Sequence, residues 1–258
     1  MGTDAAADVT EDAVLGGRLR LRQPRRGHRV GHDAILLAAA CPARAGDSVV
    51  DLGAGVGAAG LALAARVPDV RVTLVEIDAK LAALAEANAR LNDLSERVRA
   101  VALDVAAPAR AFAAAGLRAE SLTRALMNPP FNDPARQRLS PDQSRRLAHA
   151  APRAGLAAWV RTAARLLRPH GTLSLIWRAD GIGEVLGALA GAFGAVTVLP
   201  VHPKPQQAAI RVLVRAVKAS RAPLELLPGL VLSDQSGRAT ANAEAVLRDG
   251  EPLALARI

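Results

Sequence analysis

Aromatic residues and cysteine are scarce in this sequence. Its 258 residues include no tyrosine, three phenylalanines and two tryptophans, so the core must be built from Leu, Val, Ala and Ile. Cys41 is the only cysteine, which excludes a disulfide within the chain and a zinc site with several cysteines. We expect Cys41 to be a small buried residue and the protein to belong to a reducing cytoplasm.

Long apolar runs are also absent. The longest apolar stretch, around 34–41, is too short to span a bilayer, and no charged-then-apolar signal segment opens the chain. Hydrophobic residues make up 51% of the sequence and charged residues 22%, a composition that is typical of a folded globular protein. We therefore predict a soluble protein without a membrane partner, with one main domain and terminal additions.

Lysine is rare as well, yet the chain is basic. Lys80, Lys204 and Lys218 are the only lysines, and arginines supply most of the formal net charge of +9. A positive surface gains affinity for phosphates through counterion release, so nucleic acid is the first candidate partner. The alternative is a GC-rich coding sequence, which favours arginine over lysine without a binding role. The histidines lack the spacing of metal ligands, and we predict no metal.

From residue 47 onward, apolar runs alternate with turns and with segments of helical period. This alternation predicts a parallel sheet with crossover helices. The predicted strands are 48–52, 71–76, 98–103, 122–127 and 172–177, and the predicted helices are 58–66, 78–91, 105–115, 153–167 and 182–192. Two further apolar runs, 195–201 and 208–217, have a connector too short for a helical crossover, which predicts an antiparallel hairpin. The pattern indicates an α/β fold of the class I methyltransferase (Rossmann-like) type, a seven-stranded mostly parallel sheet with helices on both faces.

The two ends of the chain differ from this repeating region. The first residues are small and acidic without periodicity. A strand and loop are predicted around 19–27, a helix over 34–40 is capped by Asp33, and a last helix is predicted near 243–247. The predicted divisions are a flexible tail at 1–12, an N-terminal strand, loop and helix at 13–46, the main domain at 47–220 and a C-terminal extension at 221–258.

A glycine-rich turn follows the first strand of the main domain. Asp51 precedes Gly53, Gly55 and Gly57, and the chain then enters a helix. Glycines at these positions let the backbone turn sharply and approach a ligand closely. The turn alone would also suit NAD or FAD. A carboxylate at the strand tip would repel a pyrophosphate, however, so Asp51 favours a cofactor with a cationic amino-acid end.

Acidic residues also end the next two strands. Glu76 lies about twenty residues beyond the glycine turn, where a carboxylate accepts hydrogen bonds from both ribose hydroxyls of a nucleoside. Asp104 follows the third strand and can accept from an adenine amino group. Each residue has an alternative role as a helix N-cap or in a solvated turn. Together with Asp51, Gly53, Gly55 and Gly57, they predict one nucleoside-containing cofactor.

The fourth strand ends in Asn128-Pro129-Pro130-Phe131. Two prolines stiffen the exit of the strand, so that the Asn128 oxygen and a neighbouring carbonyl can hold the two N–H bonds of a planar amino group. Such acceptors favour the form of the amine in which positive charge develops during methyl transfer. Phe131 can stack on a base. These four residues are the predicted catalytic group, and the alternative is a simple turn after a buried strand.

These motifs resemble the amino-methyltransferases that carry an Asn/Asp-Pro-Pro-Tyr/Phe box and act on adenine, cytosine or a protein glutamine amide. The segment from Leu21 to Ala38 is similar to the opening of the bacterial tRNA-Val adenine-N6 methyltransferase family. The resemblance covers about residues 15–235 and implies S-adenosylmethionine as cofactor, held by the acidic and glycine positions above and by Asn128, and tRNA as substrate. His28 and Val30 depart from it, since the family usually has aromatics there, and Phe131 replaces the commoner tyrosine.

Two arginine-rich segments could bind RNA. The loop at 132–149 follows the catalytic box and could hold phosphates, or it could be an ordinary solvated loop. The N-terminal cluster could bind phosphates or form a solvated strand face, and it comprises Arg18, Arg20, Arg22, Arg25, Arg26 and Arg29. Trp159 and Trp177 are expected in the core. Open alternatives to tRNA adenine are a protein glutamine, rRNA or DNA bases, and a non-catalytic RNA-binding module.

Overall fold

The computed structural model describes residues 9–25, 29–130 and 155–256. The strands are β1 Val9–Val14, β2 Leu19–Pro24, β3 Ser48–Leu52, β4 Arg71–Glu76, β5 Val98–Ala102, β6 Leu122–Met127, β7 Leu167–Arg178, β8 Phe193–His202, β9 Arg211–Lys218, β10 Glu225–Leu226 and β11 Leu230–Val231. The α-helices are α1 His32–Ala40, α2 Ala58–Arg66, α3 Ala79–Leu91, α4 Ala109–Ala114, α5 Leu156–Leu166, α6 Ile182–Leu189 and α7 Ala241–Leu247.

The main sheet has the predicted topology with two additional strands. Its order is β5-β4-β3-β6-β7-β9-β8-β10, and β11 also pairs with β8. Only β9 runs antiparallel to its neighbours, and it forms the predicted hairpin with β8. The predicted count of seven strands was too low for this sheet, because β10 and β11 add two short parallel strands outside β8. Two-residue strands are too short to show a periodicity of their own.

Both faces of the sheet are covered by helices. Neighbouring strand residues point to opposite faces, so that Val49 joins one core cluster and Val50 the other. The first cluster holds buried residues of α1, α2, α3 and α7, and the second those of α4, α5 and α6. Cys41 is fully buried in the first cluster, and burial raises the pKa of its thiol to about 11. Its predicted role as a small buried residue is confirmed.

The N-terminal prediction needs a correction. The sequence predicts a flexible tail over residues 1–12, but residues 9–12 belong to β1, which pairs with β2 in a separate two-stranded sheet. The acidic side chains that suggested a tail instead neutralise arginines of this hairpin region. Glu11 pairs with Arg20 and Arg22, and Asp12 lies 2.8 Å from the guanidinium of Arg29. Residues 1–8 lie outside the described ranges.

Two asparagines, one in α3 and one at its C-terminal end, hold the free edge of β2. Asn88 accepts from the Arg22 N–H (2.7 Å) and donates to the carbonyls of Arg22 and Val56, both at 3.0 Å. Four residues further along, at the end of α3, the Asn92 side chain accepts from the Arg20 N–H (2.9 Å) and donates to the Arg20 carbonyl (2.7 Å). The amides thus replace a neighbouring strand, and Asn88 also connects the hairpin to the loop after β3.

Several element bounds differ from the sequence prediction. Asp33 does not cap α1, because the N-cap is Gly31 and the Asp33 carboxylate forms an ion pair with Arg211 at 2.9 Å. The helix predicted over 105–115 is reduced to α4 and begins after Pro108. The strand predicted at 172–177 begins at Leu167. Each difference reflects a contact or a proline that periodicity does not register.

The C-terminal extension packs on α1 of the N-terminal segment. Val246, Leu253 and Leu255 are buried in the same cluster as α1, and the Leu253 N–H donates to the Ala39 carbonyl at 2.9 Å. Nothing tests the predicted boundary at residue 221 as a domain limit, so it stays a prediction. Among the described residues, no helix has the length and apolarity needed to cross a bilayer.

Candidate active site

The strand register brings the predicted site residues to one edge of the sheet. Leu52 at the end of β3 lies opposite Val75 of β4 and Met127 of β6. Because these strands are parallel, the residues that follow are level with each other. They are Gly53, Glu76 and Asn128. Glu76 in turn pairs with Ala102 of β5, so that Asp104 follows two residues beyond the same level.

The glycine turn after β3 combines a packed side with an open side. Gly53 has a φ of +69°, its N–H donates to the Val75 carbonyl (2.8 Å), and a Cβ there would overlap the Trp159 ring. Gly55 has a φ of +57°, and a Cβ there would meet nothing within 4 Å. Gly57 is the N-cap of α2. The turn thus packs against Trp159 at Gly53 and leaves space for a ligand beside Gly55.

This geometry predicts that Gly55→Ala weakens cofactor binding more than folding. The left-handed backbone costs an alanine about 1 kcal/mol of stability, but its methyl group would project into the open space where the cofactor is expected. We expect the dissociation constant for S-adenosylmethionine, measured by calorimetry, to rise at least about tenfold. The matched control is Gly46→Ala, since Gly46 is also left-handed (φ +82°) and open but lies before β3, at the other end of that strand. Equal affinities of the two variants would contradict the assignment.

Glu76 is directed at the glycine turn. Its side chain is buried to 8% exposure, Oε2 accepts from the Gly55 N–H (2.8 Å), and Oε1 accepts from the Asp78 N–H (3.0 Å). A carboxylate has about four acceptor sites, so two remain for ribose hydroxyls. The N-cap of α3 is Asp78, which answers the alternative reading of Glu76 as a helix cap.

Asp51 lies behind the glycine turn. It is only 2% exposed, and its Oδ2 accepts from the Gly60 N–H of α2 at 2.9 Å. Burial raises the pKa of this carboxyl to about 7, against the hydrogen bond from Gly60 and with a further upward effect from Glu76. The described hydrogen bond of Asp51 is with α2. Asp51 would therefore influence the cofactor indirectly, by holding the glycine turn in place and by the charge of its carboxyl when ionised. Its cofactor contact stays a prediction.

The raised pKa of Asp51 predicts a pH-dependent stability. A carboxyl with a folded pKa near 7 and an ordinary value of 3.8 stabilises the folded state fully below about pH 4 and loses that contribution as pH rises through 7. Between pH 5 and pH 8, the wild type should therefore lose about 2.5 kcal/mol more unfolding free energy than Asp51→Asn. Urea unfolding at both pH values measures this difference. Parallel curves for the two proteins would refute the prediction.

Asp104 lies exposed beyond the tip of β5. Its Oδ1 accepts from the Ala106 N–H (2.8 Å), and the cap residue of α4 is Pro108. Asp104 is therefore a turn residue and does not cap that helix. The exposed carboxylate keeps further acceptor sites for an adenine amino group.

The predicted catalytic box begins at the buried end of β6. Met127 is fully buried, Asn128 is half-buried, Pro129 is buried and Pro130 is exposed. The Asn128 amide makes no hydrogen bond to another residue in the described part of the chain. Phe131 lies outside the described residues, and so does the basic loop at 132–149.

The structure also shows functional candidates that the sequence interpretation missed. Asn88 connects the glycine-turn loop to β2, and Trp159 supports Gly53 in addition to its predicted core packing. Asparagine is a poor helix former, so Asn88 inside the predicted helix was the available signal. In the N-terminal arginine cluster, Arg20, Arg22 and Arg29 form ion pairs, which favours the solvated strand face over phosphate binding.

Known proteins resemble this chain in sequence and in fold. The family model described as methyltransferase small domain matches residues 28–204, more than half of the chain. The chain belongs to the methyltransferase small domain family. It is therefore an enzyme that transfers methyl groups, with the class I fold predicted from its sequence.

Two curated relatives differ in their acceptors. A protein of Tolumonas auensis named tRNA1(Val) (adenine(37)-N6)-methyltransferase is 32% identical over 178 residues, which cover 69% of this chain and 70% of that protein. A release factor glutamine methyltransferase of Chlorobaculum tepidum is 32% identical over 164 residues, which cover 61% of this chain and 54% of that protein. The match thus spans only about half of the second relative.

Two solved structures share the fold. The crystal structure of a predicted O-methyltransferase from Agrobacterium tumefaciens is 32% identical, with a TM-score of 0.71 over 85% of this chain and 97% of that one. A Thermus thermophilus 16S rRNA methyltransferase in complex with AdoMet and guanosine is 22% identical, with a TM-score of 0.56 over 81% of this chain and 50% of that one. The 258-residue chain, as a member of the methyltransferase small domain family, uses S-adenosylmethionine as its cofactor.

The described residues fit that cofactor. The open space at Gly55 admits a ligand against the backbone, Glu76 offers acceptors for two ribose hydroxyls, and Asp104 is exposed at the next strand tip. The buried carboxyl of Asp51 lies beneath the turn, and a cationic amino-acid end close to it would favour its ionised form. The residue roles within the site remain predictions until the bound complex is measured.

Proposed function

We propose that this methyltransferase acts on an exocyclic amino nitrogen, and that the substrate is adenine N6 in tRNA. The observation that carries the proposal is the position of Asn128. It follows β6 at the level of Gly53, between a buried methionine and two prolines, with an amide that no described residue uses. The name of the Tolumonas auensis relative and the net charge of +9 support tRNA as the substrate.

The chain would act mainly by holding the amine. When bound, S-adenosylmethionine supplies an electrophilic methyl group on a sulfonium. The Asn128 oxygen and a carbonyl of the proline corner would accept both N–H bonds, which turns the nitrogen lone pair toward the donor and stabilises the positive charge that develops. Asn128 and the proline corner would keep the amine in place while it takes up the methyl group, and the extra proton would then leave the nitrogen for solvent. Phe131 would stack on the base.

Nitrogen is favoured over oxygen as the acceptor atom, although one structural relative is described as a predicted O-methyltransferase. A hydroxyl group is a weak nucleophile and needs a base to remove its proton. The residues level with Gly53 offer instead a neutral amide and prolines at β6, and the nearby carboxylate of Glu76 is already hydrogen-bonded to the glycine turn. This arrangement accepts hydrogen bonds from an amine without deprotonating it first.

A protein glutamine amide is the second candidate. It carries the same planar amino group, and the relative from Chlorobaculum tepidum is named for that reaction. The high positive charge of this chain favours RNA over the protein substrate. Bases of rRNA or DNA fit the same chemistry, whereas a non-catalytic RNA-binding module would have no use for an uncommitted Asn128 beside a cofactor turn.

The deciding experiment is transfer of a tritiated methyl group. Total tRNA that lacks its modifications is incubated with the full chain and labelled S-adenosylmethionine, and the RNA is digested to nucleosides. Label in N6-methyladenosine is the expected result. Label only in a protein fraction offered in parallel would replace the proposal with the glutamine reaction, and label in a different nucleoside would disprove adenine N6.

A further inference from the structure

An open, shallow cavity, mostly apolar but edged by three polar side chains, lies beside the hairpin of β8 and β9. It has a volume of about 430 Å³ and is lined by His202, Gln206, Gln207, Ala208, Gly229 and Val231. This volume is in the range of small-ligand sites. The lining comes from the hairpin tip and from the C-terminal extension, neither of which takes part in the site described above.

The cavity is at the catalytic edge of the sheet, on the side away from the cofactor. β8 runs parallel to β6, because β9 is antiparallel to both β7 and β8 while β7 is parallel to β6. The C-terminal end of β8 therefore points to the same edge as Asn128. The predicted cofactor residues of β3, β4 and β5 lie on one side of β6. The cavity lies on the other side, beside β8, which is three strand spacings or about 14 Å from β6.

The hairpin also rises above the catalytic corner. Met127 pairs with Leu175, Leu175 with Val214, and Val214 with Val198. The last residue of β8, His202, is four positions beyond Val198, which is a rise of about 13 Å. The hairpin tip therefore extends beyond the level of Asn128 on the β8 side of the sheet, where a polynucleotide bound at Asn128 could contact it.

The lining groups suit the edge of a nucleic-acid base. Gln206 and Gln207 are exposed, and neither amide is hydrogen-bonded to another described residue. Glutamine amides can form paired hydrogen bonds with a base such as adenine. The His202 ring is held by the Gln207 carbonyl (2.7 Å) and packs against Gly229, where a Cβ would be only 2.6 Å from the ring. Ala208 and Val231 supply an apolar surface beside these polar groups.

A cation for the phosphate is available at the same tip. Lys204 lies between His202 and the two glutamines in the chain and forms no ion pair with another described residue. A lysine near a base pocket would fix the backbone of a nucleotide whose base is read by the pocket.

We propose that this cavity binds an unpaired nucleotide of the substrate RNA that flanks the methylated base. Gln206 and Gln207 recognise the base edge, and Lys204 binds its phosphate. The inference rests on the proposed function, because it requires RNA to be the substrate. It adds a recognition site to the chemistry at Asn128, through which a base that is not itself methylated contributes to substrate choice.

The test is the double variant Gln206→Ala/Gln207→Ala in the full chain. Methyl transfer to unmodified total tRNA gives kcat and KM, and calorimetry gives the dissociation constant for S-adenosylmethionine. We expect KM for tRNA to rise about tenfold, while kcat and the cofactor constant stay within about twofold. Gln235→Ala is the control, since Gln235 is exposed and does not line the cavity. Both variants remove exposed side chains, and thermal melts check that each is folded.

The outcomes separate this inference from the proposed function. Normal turnover of tRNA by the double variant with an unchanged KM would overturn the nucleotide site and leave the proposed function intact. An equal rise in KM for Gln235→Ala would also overturn it, because the effect would not belong to the cavity. Failure of the wild type to methylate any RNA, with label in protein, would overturn both.

Discussion

Asn128→Ala is expected to lower kcat by about 10²–10³-fold, the loss found when one group that stabilises a developing charge is removed. The amide lies at the end of β6, level with the glycine turn, and no described residue takes its hydrogen bonds. Alanine leaves the backbone and the prolines in place but removes the acceptor for one N–H bond of the amine. The affinity for S-adenosylmethionine should stay within about threefold, because the cofactor contact that the family resemblance implies for Asn128 is one of several and Gly55, Glu76 and Asp104 are unchanged. Single-turnover methyl transfer and calorimetry measure the two quantities.

Two further variants make this result specific. Asn128→Asp keeps an oxygen acceptor and should retain more activity than alanine. Asn242→Ala removes an exposed asparagine of α7 and should behave as the wild type. If Asn128→Ala has unchanged turnover on every accepted substrate, Asn128 does not touch the reacting amine and the proposed mechanism is wrong.

Asn88→Ala is expected to reduce the free energy of unfolding by about 3 kcal/mol, since it leaves three main-chain groups without partners. These are the N–H and carbonyl of Arg22 and the carbonyl of Val56. Asn88 is fully buried, so water cannot easily replace the lost hydrogen bonds. Asn92→Ala is the matched control, because Asn92 makes equivalent bonds to Arg20 from a half-buried position. Urea unfolding should show a loss of only about 1 kcal/mol for the control.

The same pair of variants tests the connection to the cofactor loop. Asn88 holds the Val56 carbonyl directly behind Gly55, whereas Asn92 touches only β2 and α3. The dissociation constant for S-adenosylmethionine should therefore rise several-fold in folded Asn88→Ala and remain unchanged in Asn92→Ala. If both variants lose equal stability and bind the cofactor equally well, Asn88 is only one of two equivalent docking residues.

The candidate site follows from sequence to the extent that its residues end buried strands. Asp51, Glu76 and Asn128 could be selected because a polar residue after an apolar run lies at the edge of a parallel sheet. The depth of each residue could not be predicted in this way. Asp51 and Glu76 both lie at strand ends, yet Asp51 contacts α2 while Glu76 contacts the glycine turn. That difference depends on which helix covers each strand.

The N-terminal region shows the opposite case. Glu11 and Asp12 looked like part of a solvated tail, because acidic residues without periodicity carry no local signal for a strand. Their pairing partners are the arginines of β2 and Arg29, and β2 in turn depends on asparagines of α3 that are more than sixty residues away. Contacts at that separation are decided only when the chain has folded.

The amino-acid sequence by itself determined the order of strands and helices, the glycine turn, the acidic strand ends and the proline-stiffened corner, since each is a local property of a few neighbouring residues. The tertiary structure decided what those residues touch. It buried Asp51 beneath α2, placed Trp159 behind Gly53, joined β2 to α3 and raised the β8–β9 hairpin above the catalytic edge. The reason is that burial and hydrogen bonding depend on segments distant in sequence, whose packing no local pattern records.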